Sequence, residues 1–190
     1  AGVGAVLTQN ITDPTIGKRG LDLMAAGSSS EAALATVVAD TANIQFRQLV
    51  FLDASGRGAH FTGAQGLGRI AAAVGENCVS AGNLLANSDV PAAIISAMTS
   101  SKGHLGHRLV KALQAGLAAG GEEDPVRSAG VLVVDKQSWP IVDLRVDWHD
   151  LPLTELETIW QAYEPQIQAY LDRALSPQAA PAFAKAADSR

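Results

Sequence analysis

The loop between residues 122 and 128 carries the densest set of potentially reactive side chains in this sequence. It opens with the carboxylates of Glu122, Glu123 and Asp124 and closes with Arg127 and Ser128. Acidic groups, a guanidinium and a hydroxyl that converge on one loop can orient or polarise a reacting group. Read without a family, the same composition is more often that of an ordinary connecting loop, so both interpretations stay open.

Asn83 is a second candidate, because it follows Ala81 and Gly82 and precedes a predicted helix. Its side-chain amide offers a donor and an acceptor, which suits the stabilisation of an oxyanion. Asparagines are also common near strand ends, so an ordinary turn residue is the alternative.

Three further patterns favour structural interpretations. Residues 66–68 read Gly-Leu-Gly but lack the third glycine of a dinucleotide-binding fingerprint. Residues 78–82 lack the first glycine of a serine-nucleophile elbow, and we interpret Cys78 as a small core residue. His104 and His107 share a helix face, but no cysteine or carboxylate pair completes a metal shell, which favours surface or capping histidines.

A charged ladder runs along one predicted strand near the C-terminus. Asp143, Arg145 and Asp147 alternate with aliphatic residues, so one face of the strand is charged and the other is apolar. The ladder is either a solvated sheet face or a contact between domains or subunits, where arginine pairing fixes the register.

The composition limits the classes of function. The chain has 190 residues, 47% of them hydrophobic and only 5% aromatic, which predicts an aliphatic core. The net charge of −5 argues against nucleic acid as a partner. Charged or polar residues interrupt every apolar stretch before it reaches the length of a membrane span. The chain has one cysteine, so no internal disulfide points to secretion, and we expect a cytoplasmic protein. We expect no cofactor and no metal.

Apolar periodicity and capping residues predict the elements that position these side chains. A strand over 3–9 precedes a helix that starts at Asp13-Pro14 and ends at Gly27, and Ser28 with Glu31 forms a capping box for a second helix. Strands follow over 48–53 and 58–62, joined by a turn at 54–57, and an extended segment follows over 76–85.

The second half of the chain begins with two helices. The first starts near Ser88, and the second carries Leu105, Leu109, Leu113 and Leu117. Strands over 131–134 and 142–147 precede one helix, with a capping box at Thr154 and Glu157 and a kink at Pro165. Residues 176–190 lack periodicity and are predicted to form a mobile tail. The helices occur in pairs rather than singly between strands. This order disfavours a doubly wound parallel sheet and favours two sheets that lie between layers of helices.

Several segments together resemble the DUF1028 family, a bacterial and archaeal family thought to have the N-terminal-nucleophile (Ntn) hydrolase fold. The resemblance implies an α/β (α+β) fold, a four-layer αββα sandwich over residues 1–175. It is carried by these stretches: 1–6 with Thr8-Gln9, 17–21, 47–49 with Asp53, 56–57, 61–63, 81–83, 118–121, 127–129 and 142–147.

Family members share a further upstream segment that forms the first two strands, and they typically begin with Thr after the initiator Met. Ala1 corresponds to a point after that segment and has neither a hydroxyl nor a thiol. In an Ntn hydrolase the side chain of the first residue attacks a carbonyl while its own α-amino group serves as the base. The resemblance therefore implies that the nucleophile and the N-terminal strands are missing from this chain, and it makes a separate N-terminal peptide a candidate partner.

The resemblance also implies four site residues. Thr8, with Gln9, resembles the strand end whose backbone N–H stabilises an oxyanion, and Asn83 resembles a polar position before the third helix. Asp124 and Ser128 resemble the acidic and hydroxyl pair that supports the terminal amine.

Two hypotheses follow for function. The first is a hydrolase of amide bonds in small substrates, and the second is a non-catalytic binding or scaffold protein that kept the fold. We expect a homo-oligomer in either case, because members of the superfamily are commonly oligomeric and because one strand face is charged.

Overall fold

The computed structural model describes residues 1–180, and within them seven strands and six α-helices alternate in groups. The first half contains β1 (Gly4–Asn10), α1 (Thr15–Ala25), α2 (Ser30–Ala39), β2 (Arg47–Asp53), β3 (Gly58–Thr62), β4 (Ala71–Gly75) and β5 (Cys78–Gly82). The second half contains α3 (Val90–Ser100), α4 (Leu105–Ala118), β6 (Ala129–Val134), β7 (Pro140–Val146), α5 (Pro152–Tyr163) and α6 (Ile167–Leu175). Short 3-10 turns lie at Ile44–Phe46 and Glu164–Gln166.

The strands β1, β2 and β3 form an antiparallel sheet with β2 in the centre. Helices α1 and α2 cover one face of this sheet, where Ile16 and Val37 pack against Leu49 and Phe51. Gly20 lets α1 approach closely, because a Cβ at this position would collide with the ring of Phe51. This face of the sheet is therefore a closed aliphatic core.

The remaining strands form two separate antiparallel hairpins, β4–β5 and β6–β7. Helix α3 packs on β4 and β5, whereas α5 packs on β6 and β7. Helix α4 lies between α3 and α5 and contributes Leu109 to the core clusters of both hairpins. One helix layer thus spans two hairpins that no backbone ladder joins within residues 1–180.

The hairpin β4–β5 lies against the face of the three-stranded sheet that α1 and α2 leave uncovered. The side chains of Gln9 and Gln48 cross this interface and donate hydrogen bonds to the carbonyl oxygens of Ala81 and Gly82. The chain is therefore a mixed α/β fold of small antiparallel sheets and helices, as the element order predicts at that level of detail.

Two predicted features of the first half differ in the structure. The extended segment predicted over 76–85 is only the second strand of a hairpin that begins at Ala71, and Asn77 makes the turn with a φ of 57°. Asparagine tolerates this left-handed conformation better than other non-glycine residues. The cap of α2 is Ser29 rather than Ser28, because the Ser29 hydroxyl accepts a hydrogen bond from the backbone N–H of Ala32.

The leucines of α4 are only partly buried. Leu105 and Leu117 are exposed, and the buried positions of this helix include Gly106 and Ala112. The small residues lie inward because α3 and the Trp160 ring approach α4 too closely for larger side chains.

The last helical region also departs from the prediction. It divides into α5 and α6, with a 3-10 turn around Pro165 in place of a simple kink. Helix α5 begins at Pro152, so Thr154 lies within it and forms no cap. Glu157 instead accepts hydrogen bonds from Lys111 (2.6 Å) and Gln114 on α4.

Residues 176–180 form turns after α6, and the rest of the predicted tail, 181–190, lies outside the described residues. Within residues 1–180 no helix has the length and apolar character needed to cross a membrane.

Candidate functional site

The loop after β5 and the loop before β6 lie side by side. The backbone N–H of Glu123 donates to the carbonyl of Leu84 at 2.8 Å, and Leu85 forms a bridge with Glu122. Asn83 and Asp124 each immediately adjoin this bonded segment, so the fold brings two of the predicted site residues into one neighbourhood. Leu84 itself has a φ of 52°, a conformation that a bulky side chain rarely adopts.

Thr8 is positioned differently from its neighbour Gln9. Thr8 pairs with Leu49 across the β1–β2 ladder, so its side chain points toward the α1 and α2 layer, and its Oγ1 is buried without a hydrogen-bond partner. Gln9 points to the opposite face and reaches β5. The Thr8 hydroxyl therefore lies on the far side of the sheet from Asn83, and a role for Thr8 at the site requires its backbone.

Ser128 lies on the exposed surface directly before β6, and no hydrogen bond of its side chain is formed with any described residue. Its neighbour Arg127 pairs with Asp150 and lies over the ring of Trp148, at 5.9 Å from the centroid. The carbonyl of Arg127 accepts a hydrogen bond from the backbone N–H of His149. Arg127 is thus engaged with the loop after β7 rather than with Asp124.

The carboxyl of Glu122 is electrostatically perturbed. Partial burial of the Glu122 carboxyl raises its pKa, and the nearby carboxylate of Asp124 raises the pKa further by like-charge repulsion. A carboxyl with a raised pKa is closer to the range needed for proton transfer.

Sequence reasoning missed a buried polar network between the sheets. Gln48, only 1% exposed, accepts a hydrogen bond from Gln9 at 2.5 Å and donates to Thr62 Oγ1 at 3.0 Å and to the Gly82 carbonyl at 3.1 Å. The available signal was a glutamine directly before the apolar run of residues 49–52, since a buried polar side chain is rarely without a hydrogen-bond partner.

We expect Gln48→Ala to lower the free energy of unfolding by about 1–3 kcal/mol, because the groups that it pairs would stay buried without partners. Urea unfolding followed by circular dichroism measures this loss. Gln168→Ala, on the exposed face of α6, is the matched control and should leave the unfolding midpoint unchanged. Equal midpoints for the two variants would contradict a structural role of the network.

The glutamine pair lines an apolar cleft of about 260 Å³ between the first sheet, β5 and helices α3 and α4. The apolar part of its wall is formed by Leu7, Val50, Val79, Ile94, Leu109 and Leu113.

The histidine pair and the cysteine have structural environments. His104 caps α4, where its Nδ1 accepts a hydrogen bond from the backbone N–H of Gly106 at 3.0 Å, and its ring lies 5.1 Å from that of Trp160. Cys78 is buried in the core between β5 and α3. Within residues 1–180 no group of three histidine, cysteine or carboxylate side chains is arranged to hold a metal ion.

Comparison with known protein families and structures identifies the family of this chain. The model of DUF1028, described as a family of unknown function, matches residues 1–156. The chain belongs to the DUF1028 family. All four predicted site residues lie within the part that matches the family model.

A crystal structure of a protein from Silicibacter pomeroyi, described as belonging to the same family model, is similar to this DUF1028 chain. The two share 29% sequence identity, with a TM-score of 0.79. The match covers 85% of this chain and 70% of the other chain. None of the curated proteins matches this DUF1028 chain.

Proposed function

We propose that this DUF1028 protein hydrolyses amide bonds in small substrates, with the four-layer αββα arrangement and mechanism of the Ntn hydrolases. The observation that carries the proposal is the pairing of the loop after β5 with the loop before β6. The loop after β5 directly follows the residues to which Gln9 and Gln48 donate, and these two glutamines line an apolar cleft. Apolar walls with a few polar groups at one end are typical of small-molecule sites.

In this mechanism the nucleophile is the hydroxyl of an N-terminal residue, as the family resemblance implies, and the side chain of Ala1 does not supply it. Its oxygen attacks the amide carbonyl carbon while its proton passes to a neighbouring α-amino group. The C–N bond then breaks as the amine leaves with that proton, and an ester remains. Water hydrolyses the ester, which releases the acid and restores the hydroxyl.

The residues of this chain would position and stabilise these steps. The Asn83 amide and the backbone N–H groups around Thr8 would donate to the tetrahedral oxyanion. Asp124 and Ser128 would hold the α-amino base. The raised pKa of Glu122 supports a proton-transfer role for the same loop.

The test uses the complete protein purified from its native source, with its N-terminus sequenced and its turnover measured on an amide library. We expect an N-terminal Thr, Ser or Cys upstream of Ala1 and measurable amide hydrolysis. Asn83→Ala should lower kcat by about 10²–10³-fold, because an oxyanion donor is lost. Gln168→Ala should leave kcat unchanged, and an equal loss in both variants would contradict the role of Asn83.

A second candidate function is a non-catalytic, homo-oligomeric binding or scaffold protein of the cytoplasm. It is favoured by the absence, within residues 1–180, of any hydrogen bond that joins the side chains of Asn83, Asp124 and Ser128. The exposed pair of Asp143 and Arg145 on β7, 4.0 Å apart, would then form part of the subunit contact. Light scattering of the complete protein, together with no turnover on the amide library, would support this alternative.

A further inference from the structure

Leu84 is the one residue other than glycine and asparagine that has a positive φ within residues 1–180. The asparagines with this conformation are Asn10, Asn43 and Asn77, and Leu84 has a φ of 52°. The left-handed region is costly for a leucine, whereas glycine and asparagine adopt it readily. Backbone strain of this kind clusters at binding and active sites. Because the backbone would be less strained with another residue, the strain points to a role for the leucine side chain.

Two neighbouring loops hold Leu84 in this conformation. Its backbone N–H donates to the carbonyl of Leu67 at 3.0 Å, and its own carbonyl accepts from the N–H of Glu123 at 2.8 Å. Gly68, with a φ of 60°, lies so close that a Cβ at this glycine would be 3.0 Å from the Cα of Leu84. The backbone of Leu84 is therefore fixed between the two loops, directly after Asn83.

The side chains of Leu84, Leu67 and Ile11 form an exposed apolar surface, which we call the Leu84 patch. They are 39%, 44% and 49% exposed, respectively. Asn10 links the three residues, because it directly precedes Ile11 and its Oδ1 accepts a hydrogen bond from the N–H of Leu67 at 3.0 Å. Apolar side chains that are exposed singly are ordinary, but exposed side chains that adjoin one another mark binding surfaces.

The Leu84 patch is continuous with the candidate site. Leu84 directly follows Asn83, whose amide is the proposed donor to the oxyanion of the substrate. A group attached to that carbonyl carbon would extend over the residues next to Asn83. The patch contains no charged side chain, so it suits a neutral apolar group, and its branched side chains offer contacts to CH₂ and CH₃ groups.

We propose that the Leu84 patch binds an aliphatic group on the acyl side of the substrate and makes the protein selective for amides of aliphatic acids. For the reaction itself, this inference rests on the proposed amide hydrolysis. The preference for aliphatic groups is a property of binding, so it is measured separately from turnover. Each CH₂ group that the patch buries should tighten binding about fourfold.

The probes are acetamide, butanamide and hexanamide, which are primary amides that differ only in the length of the acyl chain. Their binding to the complete protein is measured from the shifts of isotope-labelled leucine and isoleucine methyl signals in NMR spectra. We expect the Kd to fall about tenfold from acetamide to butanamide and about tenfold again to hexanamide.

Substitutions of Leu84 show whether the patch causes this gain. Leu84→Asn should remove most of it and should keep the urea midpoint of the parent, because asparagine tolerates a positive φ. Leu84→Met keeps an apolar side chain and should retain the gain. Leu175→Asn is the matched control, since Leu175 is 55% exposed at the end of α6, and it should bind all the probes as the parent does.

Turnover of the same amides distinguishes a failure of this inference from a failure of the proposed function. If the protein hydrolyses them, Leu84→Asn should raise the KM for hexanamide and leave the kinetics with acetamide unchanged. Binding that depends on chain length and on Leu84, without turnover, would contradict amide hydrolysis and support the patch as a site for aliphatic groups. Equal Kd values for the probes, or an equal gain in the parent and Leu84→Asn, would overturn the inference. Signals of the patch that shift with protein concentration alone would also overturn it, because a second copy would then cover the patch.

Discussion

Trp160→Ala should lower the free energy of unfolding by about 3–5 kcal/mol, the range for the removal of a large aromatic side chain from a core. The indole is 1% exposed and lies in the cluster that fastens α4 and α5 to β6 and β7. Gly106 lets α4 approach the six-membered ring closely, so removal of the indole also takes away the contact between α5 and the α4 backbone. Urea unfolding followed by circular dichroism measures the change.

Trp148→Ala is the matched control, because Trp148 is 78% exposed and its ring lies beneath the guanidinium of Arg127. We expect its free energy of unfolding to stay within about 0.5 kcal/mol of the parent. Similar losses in the two variants would show that Trp160 does not occupy a tightly packed core.

Asp53→Asn should remove much of the acid sensitivity of this protein. The carboxylate of Asp53 ends β2 and organises the turn into β3. It accepts hydrogen bonds from the hydroxyl and the backbone N–H of Ser55, from the N–H of Ser30 at the start of α2, and from Arg57. The Ser55 hydroxyl and then the Ser30 backbone N–H hold the pKa of Asp53 well below its ordinary value of 3.8.

The depressed pKa determines the direction of the pH dependence. Because the folded protein binds the proton of Asp53 more weakly than the unfolded chain does, the stabilisation is complete above the unfolded pKa of 3.8. It is lost as the pH falls below that value toward the folded pKa. The parent should therefore show a urea midpoint that decreases between about pH 5 and pH 2, in the window set by this depressed carboxyl.

The Asp53→Asn variant should have a lower midpoint at pH 7 and a flatter profile below pH 4. Its amide cannot accept all the bonds that the two carboxylate oxygens accept. Asp22→Asn is the control, because the Asp22 carboxylate is exposed and pairs with Lys18 on the same helix. A profile for Asp53→Asn that is parallel to that of the parent would assign the acid sensitivity to other groups.

Local chemistry in the sequence determined most of the elements of this protein. Asp13 accepts hydrogen bonds from the N–H and hydroxyl of Thr15 at the start of α1, and Gly27 follows that helix with a φ of 100°. The turn between β2 and β3 is likewise set by residues within five positions of one another. These signals act through neighbouring backbone groups, and the sequence displays them directly.

The strand β4 was missed because its local signal is weak. Its Ala71-Ala72-Ala73 run has little intrinsic preference for a strand. Packing against α3 and pairing with β5 hold it extended.

The order of the motifs in the sequence predicts membership of the DUF1028 family, and the match of the family model to residues 1–156 confirms it. The roles assigned to Thr8, Asn83, Asp124 and Ser128 stay predictions. Only the tertiary structure decided which of their neighbours meet, because the β1–β2 register turns Thr8 toward α1 and Gln9 toward β5. Side chains of a strand alternate between its faces, so a single step along the chain separates a buried hydroxyl from a residue at the candidate site.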